Sequence, residues 1–491
     1  MIHMRVKAIL LSTLLLIALI SCAQEKKENQ KETIVENQKP NIIYILADDM
    51  GIGDLGSYGQ TIIQTPNLDK MAANGMQFTQ HYSGASVCAP SRSTLMTGQH
   101  TGRTPIRGNK QFMPNKDGQV PLPANSVTLA EILKEKGYVT GAFGKWGLGF
   151  NEGDPNNQGF DEFYGYNCQR LAHRYYPPYL NHNQEIDSLE GNDWTNKVTY
   201  APDKIQEHRL KFIEDNKDKP FFAYISLVLP HAEIISPNDS IFKLFDGKFK
   251  ETPYTVDNKY TSDYGPDIVL HEYASVEKPL ATYASMITRI DAYVGQIIDK
   301  VNELGLAENT IIMFASDNGP SPEGGTNPDF FNSNGKFRGY KRDLYEGGIR
   351  APFIVVWPNK VNEGSISNHV SAFWDVLPTI TEITNAKNPD NIDGISFLPS
   401  LLEVENQKQH EYLYWEFNIK GGRKAIRKGV WKGVWYKMNT KNPSAFELYN
   451  LADDVSETNN VADQHPEIVA EFQEILREAS TESELFPFNT D

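Results

Sequence analysis

The chain has 491 residues, with 63 acidic against 47 basic side chains and a formal net charge of −16. That length accommodates one large α/β domain with an appendage, or two or three ordinary domains, and buries a sizeable core. The acidic balance argues against a nucleic-acid backbone as partner and gives a substrate anion no long-range attraction, so any anion site must be built locally.

At the N-terminus Arg5 and Lys7 precede an apolar run over residues 8–20, too short to span a bilayer comfortably, which leads into Leu19-Ile20-Ser21-Cys22. Residues 1–22 read as an export signal, and the approach to Cys22 resembles a bacterial lipobox, in which the cysteine is acylated and becomes the mature N-terminus. The expectation is an exported lipoprotein, periplasmic or on the cell surface, that touches membrane only through its lipid anchor. Residues 23–39, rich in Gln, Glu, Lys and Asn, are then expected to be a flexible tether. Only Cys88 and Cys168 then remain in a compartment where thiols oxidise, and a disulfide between them is open.

Residues 41–47 (NIIYILA) are a continuous apolar, β-branched run of the kind buried on both faces of a parallel sheet, and they end in Asp48-Asp49-Met50-Gly51. A helix follows over 67–73, and another is expected through Thr94 and Leu95, capped by Ser91 or Ser93. Next come a helix over 129–136 and a weaker strand over 138–143 that runs into Gly144-Lys145-Trp146-Gly147. A strong strand over 221–229 ends in Pro230-His231. Ile287, Ile290, Val294, Ile297 and Val301 make one apolar stripe on a helix over 279–304. Residues 310–315 repeat the buried-strand pattern and end in Ser316-Asp317-Asn318-Gly319.

Strands alternating with helices predict a doubly wound α/β sheet, whose ligands bind at the carboxyl ends of the strands, where the acids, Lys145 and His231 fall. Past residue 399 the texture changes to short aromatic strands over 412–417 and 429–437 and a helix over 466–479. The expected division is a main domain over 40–398 and a small α+β subdomain over 399–491.

Asp48-Asp49 and Asp317-Asn318 sit at matching strand ends. On neighbouring strands they would crowd three carboxylates together, which calls for raised pKa values or a cation between them; oxygen donors favour Ca²⁺ or Mg²⁺ over Zn²⁺. A single such pair more often caps a helix or starts a turn, and the matching positions are what point to a metal. Cys88 and Arg92 fall near the first turn of a helix, where free amides and the dipole favour an anion. Local physics leaves Cys88 open as thiolate nucleophile, disulfide half or buried thiol.

Cys88-Ala89-Pro90-Ser91-Arg92, continuing to Gly98, resembles the signature of the type I sulfatases, in which the cysteine is oxidised after synthesis to formylglycine. Residues 41–51 resemble the family's first metal-binding strand, 144–149 its lysine loop, 316–319 its second metal pair and 338–352 its second lysine segment. The whole is similar to polysaccharide-active sulfatases of Bacteroidetes.

The resemblance implies an alkaline-phosphatase-like mixed, mostly parallel sheet flanked by helices, and Ca²⁺ held by Asp48, Asp49, Asp317, Asn318 and modified Cys88. It implies that Arg92 orients the formylglycine, that Lys145, His231 and Lys341 face the sulfate and leaving group, and that a formylglycine-generating maturation enzyme acts on the chain. Hydrated, the aldehyde offers one hydroxyl to attack sulfur and a second whose deprotonation eliminates sulfate. Asp317 is then the base and His231 the general acid, with a neighbouring lysine in competition. Lys341 is favoured over Lys336 by its spacing to Glu346-Gly347-Gly348.

The chain departs from many relatives at Gly147, where they carry histidine; His173 is the candidate replacement. Arg170, His173 and the tyrosines of 175–179 suit sugar stacking and further sulfates, and Cys168 reads as a structural thiol. The expected substrate is a sulfated carbohydrate: algal polysaccharides such as ulvan or a sulfated galactan and host glycosaminoglycans are all open, with the algal or galactan sulfates favoured. The rivals are a phosphonate or phosphodiester hydrolase of the same superfamily and a non-catalytic glycan-binding lipoprotein.

Overall fold

The computed structural model describes residues 39–110, 119–256 and 273–488. The export signal, Cys22 and all but the last residue of the tether lie outside them. Strands β1 (Asn41–Ala47), β2 (Met76–Phe78), β3 (His81–Tyr82), β4 (Val139–Lys145), β5 (Glu162–Tyr166), β6 (Tyr179–His182), β7 (Glu185–Ser188) and β8 (Phe221–Ser226) come first. They are followed by β9 (Thr310–Ser316), β10 (Phe353–Val356), β11 (Ser365–Ser367) and β12 (Ser371–Ala372). The described residues form a ten-stranded sheet in the order β11-β2-β10-β9-β1-β8-β4-β5-β6-β7 and a small β12-β3 pair. Its centre, β9-β1-β8-β4-β5, is parallel; β10, β6 and β7 add antiparallel pairing. The fold is therefore mixed and mostly parallel, as expected.

Both faces of β1 are buried because its side chains alternate between two cores. Ile43, Ile45 and Ala47 pack on one face with helices α4 (Ala201–Asp215) and α5 (Pro279–Glu303). Ile42, Tyr44 and Leu46 pack on the other with Leu95 and Met96 of α2 (Cys88–Thr97), Leu133 of α3 (Leu129–Glu135) and Ile380 of α6 (Val376–Ile383). The first helix, α1 (Pro66–Ala73), contributes Leu68 and Met71 to the α4–α5 face. Each fully buried Ile or Leu contributes about 1.5–3 kcal/mol on burial, so the central strands anchor the sheet.

Several elements differ from their predicted extent. Strand β8 stops at Ser226 rather than 229: Leu227 N–H donates to Leu46 and the Leu229 carbonyl accepts from Asp48 N–H, so residues 227–229 brace the acid loop instead of extending the ladder. Helix α2 begins at Cys88 with no side-chain cap from Val87, which corrects the Ser91 or Ser93 cap. Ser91 instead accepts the Gly84 N–H, and Ser93 bonds Thr104. Strands β5, β6 and β7 and helix α4 were not read from the sequence.

Beyond residue 399 the described residues form four strands, not two: β13 (Leu413–Phe417), β14 (Arg423–Lys428), β15 (Trp431–Tyr436) and β16 (Glu447–Asn450) make an antiparallel sheet. Helix α7 (Pro466–Glu478) packs Phe472 and Leu476 against it. The sequence of β14, RKAIRK, does not read as a buried strand, yet its basic side chains are paired: Lys424 with Glu416, and Arg427 with the Tyr82 hydroxyl. Among the described residues no helix is long and apolar enough to cross a membrane.

Candidate active site

The parallel register brings the strand ends together. Ala47 of β1 lies opposite Ser316 of β9, Leu46 opposite Ser226 of β8, and Gly144 of β4 opposite Ser226 on its other side. Asp48-Asp49, Asp317-Asn318, Lys145 and His231 therefore leave the sheet at one rim. Consecutive residues of an extended strand point to opposite faces. Asp49 instead takes a left-handed φ of 65°, one of the sparsely populated conformations that a packed surrounding must hold in place.

The side chains converge around buried Cys88. Donor atoms of Asp48, Asp49, Cys88 and His231 all lie within 4.8 Å of one another. Cys88 Sγ is 3.2 Å from Asp48 Oδ1, and both remaining cysteines are buried free thiols, so the disulfide alternative falls away. Arg92, fully buried, donates to Asp317 Oδ2 through Nε at 3.1 Å and Nη2 at 2.8 Å, to the Lys145 carbonyl at 2.5 Å, and to Ser226. Lys145 Nζ stands 2.6 Å from Asp48 Oδ2, and Lys341 Nζ 2.7 Å from Asp49 Oδ2 and 2.9 Å from His231 Nε2. Lys336 is exposed with its ammonium over the Phe337 ring, so Lys341 is the lysine that reaches the centre.

Three carboxylates and three basic side chains share this buried space, and their protonation reflects it. Burial raises Asp48, but Lys145, Arg92 and Lys341 outweigh it and hold the carboxyl below its usual range. Burial, then Asp48, pushes Asp317 up to about 7 against the pull of Arg92. Burial and Asp48 likewise push the Cys88 thiol up to about 12. Burial and Lys341 keep His231 neutral, while Asp49 overcomes burial to hold Lys341 as an ammonium ion.

The donor set fits a hard divalent cation. Asp48 and Asp49 supply carboxylate oxygens, Asp317 Oδ1 accepts the Asp49 N–H at 3.2 Å from the same side, and Asn318 turns its amide nitrogen to Asp49 at 2.7 Å. That leaves Asn318 Oδ1 buried without a hydrogen-bond partner, an oxygen suited to a cation.

The remaining expected residues line an adjoining cavity of about 190 Å³ formed by Asn109, Gln169, Arg170, His173, His231, Tyr273, Lys341 and Arg342. His173 stacks on His231 with ring centroids 4.6 Å apart, and its Nδ1 is buried without a partner; burial, then His231, keeps it neutral. The space beside Gly147 is filled by Gln169, not His173. A Cβ on Gly147, whose φ is +76°, would stand 2.5 Å from Gln169 Oε1, and that oxygen is buried and unpartnered. Gln169, Asn109, Tyr273 and Arg342 went unread in the sequence, although Gly147 itself was the signal that a side chain from elsewhere must fill its place.

Comparison with known proteins follows the same lines. The sulfatase family model matches residues 40–386, and the N-sulphoglucosamine sulphohydrolase C-terminal model matches residues 335–482. The N-acetylgalactosamine-6-O-sulfatase of Bacteroides thetaiotaomicron is 31% identical over 95% of this chain and 97% of its own length. The human N-acetylgalactosamine-6-sulfatase is 32% identical over 74% of this chain and 66% of its own. The crystal structure of Ps i-CgsB in complex with k-i-k-neocarrahexaose superposes with a TM-score of 0.74 and 27% identity, covering 90% of this chain and 93% of that one.

Proposed function

The chain belongs to the sulfatase family and is a sulfuric ester hydrolase; on that premise we propose that it removes sulfate from sulfated carbohydrates, using a formylglycine made from Cys88 and a bound Ca²⁺. The observation that carries this reading is the convergence of Asp48, Asp49, Asp317, Arg92, Lys145 and Lys341 on the buried sulfur at the first turn of α2. With its thiol held up at about 12, Cys88 as such is a poor nucleophile, which supports its role as a precursor.

Asp48, Asp49, Asp317 and Asn318 would hold the cation. The two groups would supply, respectively, charge stabilisation at the sulfate oxygens and a hydroxyl nucleophile at position 88. Arg92 fixes Asp317 and the Lys145 backbone at once, so the base and the lysine loop keep one relative position. Asp317, oriented by the two Arg92 N–H groups, accepts the proton of the attacking hydroxyl. The ammonium groups of Lys145 and Lys341, each one hydrogen bond from a carboxylate, are near enough for sulfate oxygens to compete for their N–H bonds. His231 turns Nδ1 to the Ala232 carbonyl, so Nε2 accepts from Lys341; the Lys341 ammonium is the source of the proton that reaches the leaving oxygen, and His231 is its partner in that transfer.

The named substrate of the bacterial relative and the oligosaccharide in the structural neighbour both support a galacto-configured sulfated sugar, a sulfated galactan or an N-acetylgalactosamine 6-sulfate. Export with acylation at Cys22 is part of the same proposal and rests on residues 1–22; palmitate labelling that is lost in Cys22→Ala checks it. The decisive experiment is mass spectrometry of the Cys88 peptide from protein made in its native host, alongside paired assays on sulfate and phosphate esters. An aldehyde with sulfate-ester turnover is expected; an unmodified thiol in active enzyme overturns the mechanism.

A further inference from the structure

On the far edge of the large sheet, three metal-ligating side chains face one another. Glu162 opens β5, His182 closes β6 and His208 lies in the middle of α4. Residues two apart on a strand share a face, so Glu162 and Tyr164 point the same way; His182, opposite Tyr164 in the antiparallel register, joins them. Tyr164 is the platform: the His208 ring lies flat on it with centroids 3.5 Å apart and 6° between planes, and the His182 ring meets it edge-on at 5.6 Å. The Tyr164 hydroxyl is itself held by Asp187 at 2.6 Å. Both imidazoles are thus oriented by packing, and donor atoms of Glu162, His182 and His208 all lie within 4.8 Å of one another.

We infer that Glu162, His182 and His208 form a second metal site, for Zn²⁺ or a similar divalent transition metal, separate from the catalytic centre. Two imidazoles and one carboxylate are a nitrogen-rich set that suits Zn²⁺ and discriminates against Ca²⁺. Bonds of about 2.0–2.2 Å set neighbouring donors about 3.5 Å apart in a tetrahedron, a modest closure from the spacing seen. Lys204 and Lys211 nearby are paired with Glu207 and Asp215. His182 is exposed, which opens an entry path and a position for water. Glu162 is at the amino end of β5, about 13 Å along the strand from Tyr166, which pairs with Lys145. The metal would staple the β6–β7 edge hairpin to α4.

The test is equilibrium dialysis of the full-length, Ca²⁺-saturated enzyme against Zn²⁺ with elemental analysis, repeated with Co²⁺ to read its visible absorption. Wild type should retain one more Zn²⁺ per chain than Glu162→Gln, His182→Gln and His208→Gln, show intense tetrahedral Co²⁺ bands that the variants lack, and melt higher with Zn²⁺. Glu162→Gln leaves the ring packing intact and decides the matter if a histidine variant misfolds. Sulfatase turnover should be unchanged in Glu162→Gln. Equal Zn²⁺ retention by wild type and Glu162→Gln, or no retention by either, overturns the inference, whatever the outcome for the sulfatase mechanism.

Discussion

Gln169 fills the space that a side chain at Gly147 would need, its Oε1 only 2.5 Å from the position of the missing Cβ. The loop after Lys145 thus gives up a side chain of its own and borrows one from the segment after β5. Gly147→His should lower turnover sharply, by about tenfold or more, since the ring meets Gln169 and the left-handed φ is strained for any residue with a Cβ. Combining it with Gln169→Ala should recover part of the loss, a non-additivity that a double-mutant cycle on kcat/KM measures. Simple additivity would mean that the two residues do not share one space.

The Lys341–His231 contact of 2.9 Å carries a prediction about leaving groups. His231→Gln should reduce kcat on a sugar sulfate by about 10²–10⁴-fold, the usual contribution of general acid catalysis. An aryl sulfate with an acidic phenol needs little protonation and should lose far less. Equal losses on both substrates would place His231 in binding rather than proton transfer.

Arg92 reaches Asp317, the Lys145 carbonyl and Ser226 from a fully buried position. Arg92→Met leaves the Asp317 carboxylate without its partner, and removing one member of a buried ion pair costs about 3–5 kcal/mol. Urea denaturation should show a loss of that order, together with a collapse of turnover. Arg92→Lys keeps the charge and should recover stability more than activity, because one ammonium cannot reproduce the fork.

Lys432 of β15 is fully buried between Glu346, at 2.8 Å, and Glu457, at 3.0 Å. Glu346 opens the short helix Glu346–Ile349 that follows the Lys341 segment. Lys432→Met should cost about 3–5 kcal/mol in denaturant unfolding. A triple variant that also neutralises Glu346 and Glu457 with Gln should recover most of it.

Asp54 gives a stability signature with pH. Burial pushes its carboxyl up to about 6 from an ordinary 3.8, although Ser333, Tyr283 and the Gly51 N–H all donate to it. Between those values the folded chain holds a proton that the unfolded chain has lost, so this group's contribution falls as pH rises from about 4 to 6, by up to about 3 kcal/mol. Asp54→Asn should remove that slope: the wild-type minus variant difference in unfolding free energy declines across the window and is flat above it. A difference that rises with pH would contradict the raised pKa.

The residues by themselves determined the central strands, the acids at their ends, the long stripe of α5 and the Cys88–Arg92 signature. Those are local properties: a strand buried on both faces must be a continuous apolar run, and a polar pair at its end marks the exit from the sheet. Only the tertiary structure decided that β1 lies between β8 and β9, and hence that three carboxylates meet. It also decided that α2 starts at Cys88, its second residue held by Asn109, and that Gln169 rather than His173 adjoins Gly147. Strand β14 stayed hidden because Arg423 and Lys428 are paired with Asp343 and Glu471, which lie outside the strand's own hairpin, and the β5–β6–α4 histidine cluster because its members come from three elements. Periodicity reports how a segment meets solvent; which segments meet each other is set by packing across the whole chain.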